Sequence, residues 1–234
     1  MPNVTIDTSD GAMHAYVSRP EHAGVHGGII VFQEAFGVNP HIRDIADRFA
    51  ELGAVAIAPE LYHRTATGFE APYDTEDAWA AIAPHYESLT SRGIAEDARR
   101  TYDWLVRQPQ IAKVAAIGFC MGGRAAYVAN ASAPLVAAVS YYGGGIAPDL
   151  LDLASEQRSP ILMFWGGLDA NIPPDQRRAV SDALTAAQKP HEQVLFSQAG
   201  HGFFCDRRKS YEPASAAQAW SLTRSFLHIH GVLD

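Results

Sequence analysis

One stretch decides the fold: Gly118-Phe119-Cys120-Met121-Gly122-Gly123. It follows an apolar run at 114–117, which predicts a buried strand, and precedes a run at 124–131 that predicts a helix. This spacing of glycines around Cys120 is typical of a sharp strand-to-helix turn, where a Cβ at either glycine would collide with a neighbouring element. The pattern predicts a thiol exposed above the sheet and indicates covalent chemistry on an acyl group. The alternative is a glycine-rich turn with a buried cysteine, since free cysteine is among the most buried residue types.

Composition excludes several classes of protein. The chain has 234 residues, of which 47% are hydrophobic, enough for the core of one large α/β domain or two small ones. Its formal charge is -8, and its basic residues cluster only at 206–209, which argues against nucleic acid or an anionic membrane as partner. No stretch approaches the ~18 apolar residues of a membrane span or has the pattern of a secretion leader. We therefore expect a cytoplasmic protein, with Cys120 and Cys205 as free thiols.

Apolar runs alternate with amphipathic runs along the chain, which predicts an α/β protein with a mostly parallel, twisted sheet flanked by helices. Residues 1–234 are expected to form a single domain. The first two strands are expected to form an antiparallel hairpin. Residues 62–91 are less regular and predict an excursion above the sheet, interpreted as a lid or specificity region. The predicted strands are 4–6, 13–17, 28–32, 55–58, 114–117, 136–141, 161–165 and 193–196, and the predicted helices are about 40–52, 94–107, 124–131, 174–187 and 214–230.

A cysteine nucleophile needs a base, because its unperturbed pKa of ~8.5 leaves only a minority as thiolate at neutral pH. Of the ten histidines, His201 stands apart, since it follows the last predicted strand between two glycines, where open α/β sheets gather their ligands. Asp169 follows the preceding strand and is expected to orient the imidazole, although such an aspartate can instead cap a helix. The order Cys120, Asp169, His201 is the chain order of α/β-hydrolases.

Glu34 is a fourth candidate for the site. It follows the strand at 28–32 among apolar neighbours, where an unpaired carboxylate would be costly. The alternative interpretation is an ordinary surface glutamate.

Five motifs together carry a resemblance to a known family. They are Gln33-Glu34-Ala35-Phe36-Gly37, Asn39-Pro40-His41-Ile42-Arg43, Ala58-Pro59-Glu60-Leu61-Tyr62, Gly118-Phe119-Cys120-Met121-Gly122-Gly123 and Ala199-Gly200-His201-Gly202-Phe203. The chain resembles the dienelactone hydrolases, which are carboxymethylenebutenolidase-type α/β-hydrolases. The resemblance runs from about residue 27 to the final helix and implies the α/β-hydrolase fold.

The resemblance also implies a role for each residue of the site. Cys120 would attack the carbonyl of a small ester or enol-lactone to form a thioester. His201 would act as base and acid, oriented by Asp169. Glu34 would take the thiol proton when substrate arrives, since a carboxylate in an apolar pocket has a raised pKa. The oxyanion hole would be formed by the backbone amides of Ala35 and Met121.

One position departs from the family. Members that act on dienelactones hold the substrate carboxylate with arginines, one of them four residues after the histidine, where this chain has Cys205. Arg207 is the candidate to replace it, with Arg208 beside it. Phe36 and Tyr142 are candidates to line the pocket, although an aromatic residue at a strand end is more often packing. We expect no metal and no cofactor, a small-molecule substrate, and a monomer or homodimer.

Two other functions fit the same fold. The chain could be a non-catalytic, ligand-binding relative that keeps the residues by descent, since fold does not determine function. It could also be a redox sensor, if Cys120 and Cys205 lie close enough for a disulfide.

Overall fold

The computed structural model describes residues 4–22, 24–108 and 110–234, and an eight-stranded sheet lies at its centre. The strands are β1 (Val4–Thr8), β2 (Gly11–Ser18), β3 (His26–Phe32), β4 (Val55–Pro59), β5 (Ile111–Phe119), β6 (Ala137–Tyr141), β7 (Ile161–Gly166) and β8 (His191–Phe196). Their order in the sheet is β1-β2-β4-β3-β5-β6-β7-β8. The β1-β2 and β2-β4 pairs are antiparallel and every other pair is parallel. The predicted hairpin and mostly parallel sheet are confirmed.

Helices connect the parallel strands. They are α1 (Pro40–Glu51), α2 (Ala78–Ser88), α3 (Ser91–Val106), α4 (Met121–Ser132), α5 (Pro174–Ala186) and α6 (Pro213–Ile229), with a short 3₁₀ turn at Leu151–Ala154. Strands β4, β6 and β7 are buried at every residue, as expected for a parallel sheet covered on both faces. Among the helices of the described ranges, we find none with the length and apolar character needed to cross a lipid bilayer.

Helix α1 begins with a capped first turn directly after the loop that carries Glu34. The Asn39 side chain accepts hydrogen bonds from the amides of His41 and Ile42 at 3.2 and 3.3 Å, and Pro40 occupies the first turn, where its missing N–H is not needed. This capping fixes the direction in which the chain leaves the sheet, and so it holds the start of α1 against the site.

The segment 62–91 was expected to be irregular, but it contains α2, with Pro84 inside the helix. Proline in a helix interior removes a backbone hydrogen bond, so local propensity argues against a helix here. Burial outweighs that cost, because Ala78 and Ile82 of α2 pack against Ala35 and Ala71. The excursion therefore rests on the loop that follows β3.

A buried ion cluster ties the start of this excursion to α3. The Asp97 carboxylate is fully buried and accepts from both terminal nitrogens of Arg64 at 2.7 and 2.8 Å. The Nε2 atom of His63 lies 3.2 Å from the same carboxylate. A buried charge needs such partners, because burial without them is expensive.

Asp97→Ala should lower the free energy of unfolding by about 3–5 kcal/mol, because Arg64 and His63 lose their shared carboxylate. Glu96→Ala on the same helix is the matched control. It removes surface ion pairs with Arg99 and Arg100, which should cost less than about 1 kcal/mol. Urea unfolding followed by circular dichroism measures both values, and equal losses would contradict the structural role assigned to Asp97.

Candidate active site

The predicted site residues lie in loops that follow consecutive parallel strands. Because the carboxyl ends of parallel strands meet at one edge of a sheet, these loops converge there. Glu34 follows β3, Cys120 follows β5, Tyr142 follows β6, Asp169 follows β7 and His201 follows β8. Residues up to 174 positions apart in the chain, such as Glu34 and Arg208, are thereby brought into contact.

The backbone at Cys120 has the predicted sharp turn between β5 and α4. Its φ is 56° and its ψ is -119°, a conformation that residues other than glycine adopt rarely and at a cost. The surrounding packing imposes it. A Cβ on Gly118 would overlap the carbonyl oxygen of Gly122, and a Cβ on Gly122 would overlap that of Phe32. Helix α4 can approach the sheet this closely only with glycine at both positions, and the Cys120 side chain is left half-buried.

The imidazole of His201 is oriented by a buried carboxylate. Its Nδ1 atom lies 2.8 Å from Oδ2 of Asp169, which is 5% exposed. The other carboxylate oxygen accepts from the backbone amide of Asn171 at 2.9 Å. Asp169 thus shapes its own loop and also holds the ring, but it does not cap the following helix, whose N-cap is Pro173. With Nδ1 engaged, Nε2 is left for a further partner.

The available partner is the sulfur of Cys120, which lies close enough to His201 to affect its pKa. Burial by itself would lower the pKa of His201. The charge on Cys120 and the hydrogen bond that His201 donates to Asp169 outweigh burial and raise this pKa to about 10. A charged imidazole in this position stabilises negative charge on the neighbouring sulfur once the thiol has lost its proton, and the thiolate is the reactive form of a cysteine nucleophile.

The two amides expected to stabilise an oxyanion lie in two loops that meet at the strand edge. Met121 is the first residue of α4, so its amide has no acceptor within the helix. In the described part of the chain, no backbone acceptor is recorded for the amide of Ala35 either. The Tyr62 hydroxyl links the two loops, since it lies 3.0 Å from the Ala35 carbonyl oxygen and 3.4 Å from the Met121 sulfur. Both amides are thus available as donors at the strand edge.

Glu34 is fully buried, as its apolar surroundings in the sequence suggested, and it is not an ordinary surface glutamate. Its Oε2 atom accepts from the Tyr73 hydroxyl at 2.8 Å. Its Oε1 atom lies 3.4 Å from Arg208 Nη1 and 3.5 Å from the Tyr142 hydroxyl. Within the described ranges, none of these hydrogen bonds involves the Cys120 sulfur. Glu34 is therefore held by a guanidinium and two phenols.

The guanidinium in the pocket belongs to Arg208. Arg207, the candidate from the sequence, is instead exposed at the surface. The Arg208 guanidinium lies 5.4 Å from the centre of the Phe36 ring and 5.8 Å from that of Tyr73, in cation–π geometry. Phe36 and Tyr142 are thus placed at the pocket, and the Tyr142 ring is 5.1 Å from that of His201.

Tyr73 was missed altogether. It belongs to the excursion at 62–91, where no periodicity or motif distinguishes it. Only the fold of that segment against the loop after β3 brings its hydroxyl to Glu34. The Glu34 motif gave a weak signal for such a residue, because a buried carboxylate requires hydrogen-bond donors from somewhere in the chain.

Comparison with known proteins identifies the family to which the chain belongs. The model of the dienelactone hydrolase family matches residues 13–231. A Synechocystis protein named "Putative carboxymethylenebutenolidase" is 37% identical over 227 residues, which cover 93% of this chain and 92% of that protein. The crystal structure of a "Putative Dienelactone Hydrolase" from Klebsiella pneumoniae subsp. pneumoniae MGH 78578 has a TM-score of 0.85 at 32% identity, covering 96% of each chain. The dienelactone hydrolase-like promiscuous phosphotriesterase P91, from metagenomic libraries, has a TM-score of 0.82 at 26% identity, covering 98% of this chain and 97% of that one.

The fold and site define a hydrolase of the α/β-hydrolase class that acts on esters or lactones. Within that class, the chain belongs to the dienelactone hydrolase family.

The protonation of His201 offers a direct test of the Cys120–His201 contact. In the wild type, the pKa of His201 should be near 10, and in Cys120→Ala it should fall towards the ordinary value of ~6.5, because the neighbouring charge is gone. Since the folded pKa is raised, the imidazolium contributes stability that is complete below about pH 6.5 and is lost as pH rises to about 10. Titration of the imidazole ¹⁵N resonances measures the pKa. An unchanged pKa in Cys120→Ala would contradict the contact.

Proposed function

We propose that this protein hydrolyses a small ester or enol-lactone of the dienelactone type through a thioester on Cys120. The observation that carries the proposal is the array of Cys120, His201 and Asp169 at the strand edge, with the nucleophile in a strained turn and Nδ1 of His201 2.8 Å from Asp169. Oriented nucleophile, base and carboxylate form the arrangement that acyl transfer requires.

The chemistry follows from the positions of these groups. The Cys120 thiolate attacks the carbonyl carbon, and the amides of Ala35 and Met121 donate to the oxygen that becomes negative. His201 then gives its proton to the departing alkoxide or enolate as the C–O bond breaks, which leaves a thioester. In the second half, His201 removes a proton from water, the resulting hydroxide displaces the thiolate, and the free acid departs.

Glu34 and Arg208 supply a means of linking thiol activation to substrate. A substrate carboxylate that binds Arg208 competes with Glu34 for the guanidinium at 3.4 Å. The displaced Glu34 is then a base without its cation, and it can take the proton of a neutral Cys120 thiol. A guanidinium is suited to this exchange, because it binds carboxylates in planar, two-point contacts. This arrangement favours lactones that carry a free carboxylate.

The identity of the nucleophile is tested by comparing the two cysteines. Cys120→Ala should reduce hydrolysis of p-nitrophenyl acetate by about 10,000-fold, whereas Cys205→Ala should keep most of it. Intact-protein mass spectrometry after rapid acid quench should detect one acetyl group on the wild type and none on Cys120→Ala. Equal turnover by the wild type and Cys120→Ala would overturn the mechanism. Absence of any ester turnover in the wild type would favour a non-catalytic binding role.

The two neighbouring arginines provide a matched test of the carboxylate site. Arg208→Gln should raise the KM for a carboxylate-bearing dienelactone about 10- to 100-fold, because one charge-assisted hydrogen-bonded contact is lost. Arg207→Gln, one residue away but exposed, should change this KM little. The KM for p-nitrophenyl acetate, which has no carboxylate, serves as the reference in both variants. The reverse pattern would show that Arg208 does not bind the substrate carboxylate.

A further inference from the structure

Three buried side chains with metal-binding atoms meet beside the active site. They are Glu34, His41 and Cys205, and their ligand atoms all lie within 4.8 Å of one another. The hydrolytic mechanism uses only Glu34 of the three. Imidazole nitrogen, thiolate sulfur and carboxylate oxygen are the ligand types that zinc takes in proteins.

His41 has no hydrogen-bond partner in its buried position. It is 2% exposed, and neither ring nitrogen makes a hydrogen bond in the described part of the chain. The nearest charged group, Oδ1 of Asp206, is 3.8 Å from Nδ1, beyond hydrogen-bond distance. Buried polar groups are normally paired, so two unpaired nitrogens on one ring need an explanation. A bound ligand at this position would supply one.

Each side chain of this cluster has an atom that can coordinate a metal, and the thiol must lose its proton to do so. Burial lowers the pKa of His41, so the imidazole is neutral at neutral pH and carries a free lone pair. Burial and the charge of Glu34 raise the pKa of Cys205 to about 12. The thiol therefore keeps its proton until a cation takes that place. Glu34 retains acceptor capacity, because a carboxylate has about four lone-pair positions.

His41 also borders a pocket at the protein surface. This residue lines a surface pocket of about 350 Å³, whose wall includes two carboxylates, those of Asp44 and Asp206, and one guanidinium, that of Arg48. Acidic groups at the mouth of a pocket raise the local concentration of cations. His41 thus borders both the pocket and the buried cluster.

We propose that Glu34, His41 and Cys205 form a Zn²⁺ site with three protein ligands and one open position. Ligand atoms around tetrahedral zinc are about 3.5 Å apart, so side-chain movements of the order of 1 Å close the site. On binding, the Cys205 sulfur forms a bond to zinc and its proton passes to solvent. Glu34 must exchange Arg208 for the metal, because the guanidinium opposes a second cation nearby.

Zinc at this site inhibits hydrolysis, a consequence that rests on the proposed function of Glu34. A carboxylate bound to the metal cannot take the proton of Cys120. The nucleophile, His201 and Asp169 are left unaltered, so the inhibition acts through Glu34 and its pairing with Arg208. The metal binding itself does not depend on the catalytic role.

Cobalt reports on this site directly, because a thiolate bound to Co²⁺ gives a charge-transfer absorption in the near ultraviolet. Titration of the metal-free protein with CoCl₂ should give this band at one equivalent, and ZnCl₂ should abolish it. The band should persist in Cys120→Ala and be absent in Cys205→Ala. This pair of variants separates the proposed site from zinc bound to the nucleophile.

His41→Phe should weaken Zn²⁺ binding by at least about 10-fold, the lower end of the loss seen when even an outer partner of a metal site is removed. His22→Phe, at an exposed histidine, is the matched control and should bind as the wild type does. Circular dichroism checks that the variants fold. If His41→Phe does not fold, the two cysteine variants still decide the question.

The absence of the charge-transfer band with saturating CoCl₂ would overturn the proposed site. A band that is lost in Cys120→Ala and kept in Cys205→Ala would overturn it as well. Inhibition by ZnCl₂ of the hydrolysis of a carboxylate-bearing dienelactone should be present in the wild type and absent in Cys205→Ala. Cobalt binding at Cys205 without inhibition by zinc would uphold the site and show instead that Glu34 has no part in activating Cys120.

Discussion

The close approach of helix α4 to the sheet is the constraint on which the active site depends. Gly122 lies against the backbone of Phe32 at the end of β3, and Gly118 lies against Gly122. No side chain fits in either place. This contact forces Cys120 into a left-handed conformation at the start of α4. It also brings the loop after β3, with Ala35 and Glu34, beside the first turn of α4, so nucleophile and oxyanion donors are positioned by one packing interaction.

A second constraint is electrostatic. The pocket contains two carboxylates, a thiol, an imidazole and a guanidinium, and nearly all of them are removed from water. Each carboxylate is compensated by a nearby donor: Asp169 by His201, and Glu34 by Arg208. Buried charges without such partners would be costly, so the pairing holds the pocket in one arrangement. A substrate carboxylate or a cation that enters the pocket must displace one partner of such a pair. Glu34 is therefore the group whose contacts a bound ligand can change most readily.

Much of this architecture could be predicted, and the reasons differ from element to element. Strands such as β7 are continuous apolar runs, and α1 has a capping residue followed by proline, so local sequence identifies both. The elbow at Cys120 is recognisable because steric exclusion requires glycine at particular spacings. Helix α2 was not predicted, because Pro84 argues against a helix. Only the packing of α2 on the loop after β3 outweighs the effect of this proline.

The sequence by itself determined the elements that depend on local rules: the alternation of strands and helices, the glycine spacing of the elbow, and the chain order of Cys120, Asp169 and His201. Tertiary structure alone decided which arginine faces Glu34, that Tyr73 reaches the same carboxylate, and that His41 and Cys205 meet beside it. The physical reason is that these contacts join loops far apart in the chain. Neither periodicity nor spacing along the chain reports the direction of a side chain at a place where several loops converge.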